Sequence, residues 1–148
     1  MNFKLLILSS VFFISAPNWH YSLEEAEKIA RKDNKYILLN FSGSDWCGPC
    51  IRMQKEIFES KPFIKMADNE LVLVNADFPR KKKNQLPAGQ QKINEEIADK
   101  YNEKGIFPYT VLMNANGKVI LSWEGFPNES PETFILEVRN GMYSKKPQ

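Results

Sequence analysis

Trp46-Cys47-Gly48-Pro49-Cys50 decides how this chain is read. Cys47 and Cys50 are its only two cysteines, and two residues separate them. In disulfide exchange the thiolate is the nucleophile, and a second thiol is needed to release the mixed disulfide. A Cys-x-x-Cys at the start of a helix supplies both. Pro49 falls in the first turn, where its missing N–H costs nothing and its fixed φ suits the helix. From Cys50 the apolar spacing is helical, through Met53 and Ile57. That stripe predicts Cys50 turned toward the core. Cys47 is expected at the exposed helix N-terminus, where unpaired N–H groups favour a thiolate. Two other uses of the pair stay open. A structural disulfide between such near neighbours closes a tiny loop and removes little unfolded-state entropy. A zinc site needs four ligands, and the chain offers two Cys and one His.

Outward from this stretch, Tyr36-Ile37-Leu38-Leu39-Asn40-Phe41 is a continuous β-favouring run, as in a strand covered on both faces. It leads through Ser42–Asp45 into the dithiol helix, which is predicted to run to about Ser60. Pro62 restarts a short turn. Leu71–Asp77 is a second buried strand, and the helix between them implies a right-handed parallel crossover. Upstream, Ser22-Leu23-Glu24-Glu25 is a capping box that opens a helix to about Asp33. Asn18–Tyr21 is read as a short approach, and His20 as a surface residue. Downstream, residues 90–101 form a helix. Strands 109–113 and 118–123 are joined by Asn114-Ala115-Asn116-Gly117, a hairpin signal. Pro131 opens a last helix to about Met142. The predicted sheet order is 71–77, 36–41, 109–113, 118–123, with the last strand antiparallel to its neighbour.

The pentapeptide from Trp46 to Cys50 resembles the redox motif of thioredoxins at every position. The longer run Ser42 to Met53, with Phe58 beyond it, looks more like thioredoxin-like proteins of bacterial envelopes. The similarity spans about residues 20 to 143. It implies an α/β thioredoxin-like fold with a four-stranded mixed sheet flanked by helices and without an extra first strand. It also implies a cis-proline across from the dithiol. Gly105-Ile106-Phe107-Pro108-Tyr109-Thr110 carries that feature, one residue longer on each side of the proline than the family's usual Gly-x-Pro-Thr. Pro108 is assigned to it, and Phe107 is expected to pair its backbone with a substrate strand. Where thioredoxins have a buried acid that moves protons at the second cysteine, the matching residue is Asn40, which cannot titrate. Asp45 is close in sequence, and its place before Trp46 suggests exposure.

At 148 residues the chain is long enough for one domain with a real core. A net charge of +2 argues against a general nucleic-acid or membrane-surface role. Residues 1–16 have the layout of a signal peptide: Lys4, then an apolar run from Leu5 to Ile14 broken by Ser9 and Ser10, then Ser15-Ala16. Residues 144–148 read as a polar, frayed tail. Export would place the dithiol where disulfides form and persist. Arg80-Lys81-Lys82-Lys83 puts four positive charges in a row. Such a run is usually a solvated loop; the sharper alternative is a docking surface for an acidic partner.

These features lead to an exported, periplasmic or secreted thiol–disulfide oxidoreductase, a protein-disulfide reductase. Cys47 attacks and Cys50 resolves, while Trp46, Gly48 and Pro49 support the motif, and Phe107 and Pro108 face substrate. The expected partners are exported proteins with disulfides and an upstream thiol electron donor. Neither metal nor organic cofactor is called for, because the dithiol carries the two electrons; a monomer is expected. A binding module with a permanently closed disulfide, or an oxidase or isomerase in the same compartment, are the alternatives.

Overall fold

The computed structural model describes residues 16–144. The signal peptide assigned to residues 1–16 and the tail assigned to 144–148 lie outside the described residues except for Ala16 and Ser144, and Ser144 is the last residue of a helix. Five strands form one sheet in the order β1-β3-β2-β4-β5. They are β1 (Trp19–His20), β2 (Tyr36–Ser42), β3 (Leu71–Asp77), β4 (Tyr109–Met113) and β5 (Val119–Glu124). β1 and β2 run parallel to β3; β4 is antiparallel to β2 and to β5. The four expected strands stand in the expected order. The fifth, β1, corrects the reading of Asn18–Tyr21 as a mere approach. Two residues are too few to show a period-two pattern. What holds β1 is distant: Trp19 pairs with Leu73, and its ring meets Phe58 edge-on at 5.2 Å between centroids.

The alternation along β2 and β3 assigns their side chains to two cores. Leu38, Leu71 and Leu73 pack on one face with Phe58, Phe63, Phe134 and Val138. Ile37, Leu39, Phe41, Val72, Val74 and Ala76 pack on the other with Leu23, Ala26, Ala30 and Ile97. The first face is covered by α3 (Lys61–Glu70) and α5 (Pro131–Ser144), the second by α1 (Leu23–Asp33) and α4 (Ala88–Tyr101). This is why both central strands read as continuous apolar runs rather than alternating ones.

α1 begins as its capping box predicts, with the Ser22 hydroxyl accepting from the Glu25 N–H at 3.3 Å. The dithiol helix differs from expectation. α2 spans only Gly48–Arg52, and Met53–Phe58 continues as a π-helix. A π turn widens the spiral by one residue, and here Met53, Ile57 and Phe58 are all buried. The "short turn" after Pro62 is the ten-residue α3, capped by Ser60, whose hydroxyl accepts from the Phe63 N–H at 3.4 Å. Among the described residues, no helix is long and apolar enough to cross a membrane.

Candidate active site

β2 ends at Ser42 and delivers the chain to a tight loop. Trp46 and Cys47 both donate their backbone N–H to the Gly43 carbonyl, at 3.2 and 2.9 Å. Cys47 is then the N-cap of α2, and Pro49 lies in the first turn. Cys47 and Cys50 form a disulfide with an S–S distance of 2.07 Å. Cys47 Sγ also accepts the Cys50 N–H at 3.2 Å, so the sulfur itself caps the helix, as a hydroxyl does in a serine N-cap.

One expectation is corrected here. Cys47 is not at the surface: it is 5% exposed, against 3% for Cys50. The sulfur bends back over the first turn to reach both its disulfide partner and the Cys50 N–H. The exposed residues of the motif are Gly48 and Pro49. Cys50 does face inward, as the Met53 and Ile57 stripe requires.

Beside the dithiol stands a wall of aromatic rings. The Trp46 indole N–H donates to the Phe78 carbonyl at 2.7 Å. Phe107 meets the Trp46 ring and the Phe78 ring edge-on, each at 5.5 Å between centroids. The Arg80 guanidinium lies 3.6 Å from the centroid of the Trp46 ring, a cation–π contact. Trp46 also explains Gly43. A Cβ there would overlap Trp46 Cε2 and stand 2.6 Å from its Nε1, so any side chain at 43 displaces the indole. Phe107-Pro108 is the one cis peptide bond among the described residues. Phe107 lies just before the β4 ladder, while the buried Pro108 accepts the Gly125 N–H on its carbonyl at 2.8 Å. The structure thus brings Trp46 and Phe107 together at the dithiol helix and fixes Pro108 at the mouth of β4.

Asn40 is buried, and its amide links three strands. Thr110 Oγ1 donates to Asn40 Oδ1 at 3.1 Å, and Asn40 Nδ2 donates to Asn75 Oδ1 at 3.4 Å. The register sets these three residues side by side, a neutral polar rung where the resemblance led one to look for an acid.

Sequence reasoning missed the role of Asp45. It is half-buried rather than exposed, and its carboxylate accepts from the Arg80 N–H at 2.9 Å, the Lys81 N–H at 3.0 Å and Asn84 Nδ2 at 2.8 Å. The Arg80 backbone bond above all, then the Asn84 and Lys81 bonds, hold its carboxyl below the usual aspartate value against the opposing effect of desolvation. Asp77 grips the same loop from β3, accepting from the Ser44 N–H at 2.9 Å and the Ser44 hydroxyl at 2.5 Å. Two carboxylates therefore knit the dithiol loop to the loop after β3. The sequence signal for this was faint: Asp45 and the Arg80 run lie far apart in the chain, and no pattern in the sequence links them. Among the described residues, no group of three or more His, Cys, Asp or Glu is placed to hold a metal ion.

The geometry agrees with what the chain is similar to. The thioredoxin-like domain family matches residues 23–140. The disulfide bond reductase DsbH of Chlamydia pneumoniae is 36% identical over 130 residues, 87% of this chain and 76% of that protein. The thioredoxin-related protein DsbJ of the same organism is 30% identical over 112 residues, 76% of this chain but only 31% of DsbJ. A solved DsbH oxidoreductase structure superposes with a TM-score of 0.80 at 32% identity, covering 94% of this chain and 93% of that one. A thioredoxin from Thermus thermophilus shares the fold at a TM-score of 0.63 and 16% identity. The chain therefore belongs to the thioredoxin-like family, and its cysteine pair makes it a thiol–disulfide oxidoreductase of that family.

Proposed function

We propose that this protein is an exported reductase of protein disulfides. The observation that carries the reading is the Cys47–Cys50 disulfide at the head of α2, walled by Trp46 and Phe107. In the reduced protein the Cys47 thiolate attacks one sulfur of a client disulfide. The client's other sulfur leaves as a thiolate and takes up a proton. The Cys50 thiolate then attacks Cys47 Sγ, which releases the client's second thiol and closes the Cys47–Cys50 disulfide. The client gains two electrons and the dithiol loses two; an upstream dithiol donor returns them. Phe107, outside the β4 ladder, offers its backbone to an extended client segment, while Trp46 and Pro108 border the pair.

The direction of electron flow rests on two supports. The first is the name of the relative DsbH, a disulfide bond reductase. The second is the uncharged Gly48-Pro49 dipeptide, which adds no charge to stabilise the thiolate. A very stable thiolate makes a strong oxidant. We expect a potential nearer about −270 mV than about −120 mV, a span of roughly 7 kcal/mol for two electrons. Equilibration with glutathione buffers, followed by Trp46 fluorescence, measures it. A value near about −120 mV overturns the reductase reading in favour of an oxidase.

Export rests on the layout of residues 1–16. The mature chain is expected to begin between about residues 17 and 20; a start at 17, 18 or 19 keeps all of β1, and a start at 20 removes Trp19. N-terminal sequencing of protein made in its own host decides this, and an intact Met1 in a soluble cytoplasmic fraction overturns it.

A further inference from the structure

The basic run after β3 was open to two readings, a solvated loop or a docking surface, and the way the loop is held bears on the choice. A solvated loop has no need to be fixed. This one is held by the Asp45 carboxylate at three points. The Gln85 side chain donates to the Pro79 carbonyl at 2.9 Å and closes the loop on itself. Lys82–Asn84 form a 3-10 turn. The same Asp45 precedes Trp46 and Cys47, so the loop is tied to the segment that carries the dithiol. The first residue of the basic run, Arg80, lies over the Trp46 ring.

Fixing the loop leaves its charge outward. Arg80, Lys81, Lys82 and Lys83 are all exposed. Lys82 and Lys83 enter no ion pair with a described residue, although six such pairs exist elsewhere. The two nearby carboxylates, Asp45 and Asp77, are occupied by hydrogen bonds to the loops. The result is a cationic lip that meets Trp46 through Arg80 and is tied through Asp45 to the segment that carries the dithiol.

We propose that Arg80, Lys81, Lys82 and Lys83 form a docking lip that selects client proteins with acidic residues next to the disulfide to be reduced. This rests on the reading of Cys47 and Cys50 as the reacting pair. Charge complementarity at such a rim acts mainly on encounter rate and on the choice among partners. It is strong at low salt and screened beyond about 8–10 Å near physiological ionic strength. An anionic membrane is the poorer occupant. Stable surface binding needs an apolar face or a lipid besides basic charge, and residues 79–85 contain no apolar side chain apart from Pro79.

The test uses two disulfide-linked fluorogenic peptides, identical except that one carries three glutamates and the other three glutamines beside one cysteine. At about 0.01 M ionic strength, where the Debye length is about 30 Å, the wild-type protein is expected to favour the glutamate peptide about tenfold in kcat/KM. At about 0.15 M the preference shrinks toward unity. In Lys81→Gln/Lys82→Gln/Lys83→Gln it is near unity at both salts; Arg80 is kept because it packs on Trp46. Equal selectivity in the two proteins, or none in the wild type, overturns the proposal. So does a variant that differs only in sedimentation with phosphatidylglycerol vesicles. If the wild type reduces neither peptide, the reductase reading is what has failed. The lip is then judged by binding of the glutamate peptide with serine in place of cysteine, read by Trp46 fluorescence. Loss of that binding in the triple variant supports the lip, and equal or absent binding overturns it.

Discussion

Cys47→Ser is expected to lose at least about a thousandfold in disulfide reduction, whereas Cys50→Ser keeps the first exchange and accumulates mixed disulfides with its clients. The two cysteines are almost equally covered in the closed disulfide, so residue exposure in that state does not tell them apart. Their places on the helix do. Cys47 is the N-cap, and the residues after it, Gly48 and Pro49, are exposed. Cys50 lies one turn further in, with the buried Met53 and Ile57 following it on the same face. Cys47 therefore sits at the helix end, where unpaired N–H groups favour a thiolate, while Cys50 is set into the helix behind it. In the closed disulfide the Cys50 N–H already points at the Cys47 sulfur, and a donor at that place favours a thiolate. Iodoacetamide alkylation of the two serine variants, with mass spectrometry of trapped client adducts, tests the assignment. If Cys47→Ser reacts fast while Cys50→Ser reacts slowly, the roles are reversed.

Phe58→Ala is expected to cost about 3–5 kcal/mol, a large part of the roughly 5–15 kcal/mol that such domains possess. Phe58 is fully buried where the π-helical segment meets three other rings. Its centroid lies 5.2 Å from Trp19, 5.0 Å from Phe63 and 6.3 Å from Phe134. Those partners come from β1, α3 and α5, so one side chain joins the edge strand, the dithiol helix's continuation and two covering helices. Removing it leaves a cavity that rigid neighbours on three sides fill poorly. Thermal melts should fall by roughly 10–20 °C, and urea titration should show a lower midpoint with a similar slope. A change under about 1 kcal/mol, at the small end of ordinary substitutions, would mean that the site collapses freely and that the ring cluster is not the keystone argued here.

How much of this was legible in the sequence follows from the range of the interactions. The cysteine pair, Pro49 in the first turn, the Ser22 cap and the runs of β2 and β3 are local patterns, and they could be read directly. The neutral rung at Asn40 was visible as a missing acid, yet its partners Thr110 and Asn75 come from other strands, and only the register brings them alongside. Asp45 was misjudged because its environment is made by Arg80, Lys81 and Asn84, more than thirty residues on. Cys47 was expected at the surface because a helix N-terminus usually is; bending of the sulfur onto its own first turn is a tertiary detail. The π-helix was invisible for another reason. Met53, Ile57 and Phe58 suit an α-helical face as well as a widened one, so spacing alone does not distinguish them.

The short β1 also protects the rest of the sheet. β3 is a long, apolar strand with β2 on one side, and β1 covers part of its other side through the Trp19–Leu73 and His20–Val74 pairs. An uncovered row of N–H and C=O groups on such a strand is a template for pairing with another molecule. Two residues of backbone, anchored by the Trp19 ring, thus cover part of the row on β3 where such pairing would start. A maturation cut beyond His20 would uncover that row on β3 and remove the Trp19 ring from Phe58, and it is expected to favour self-association.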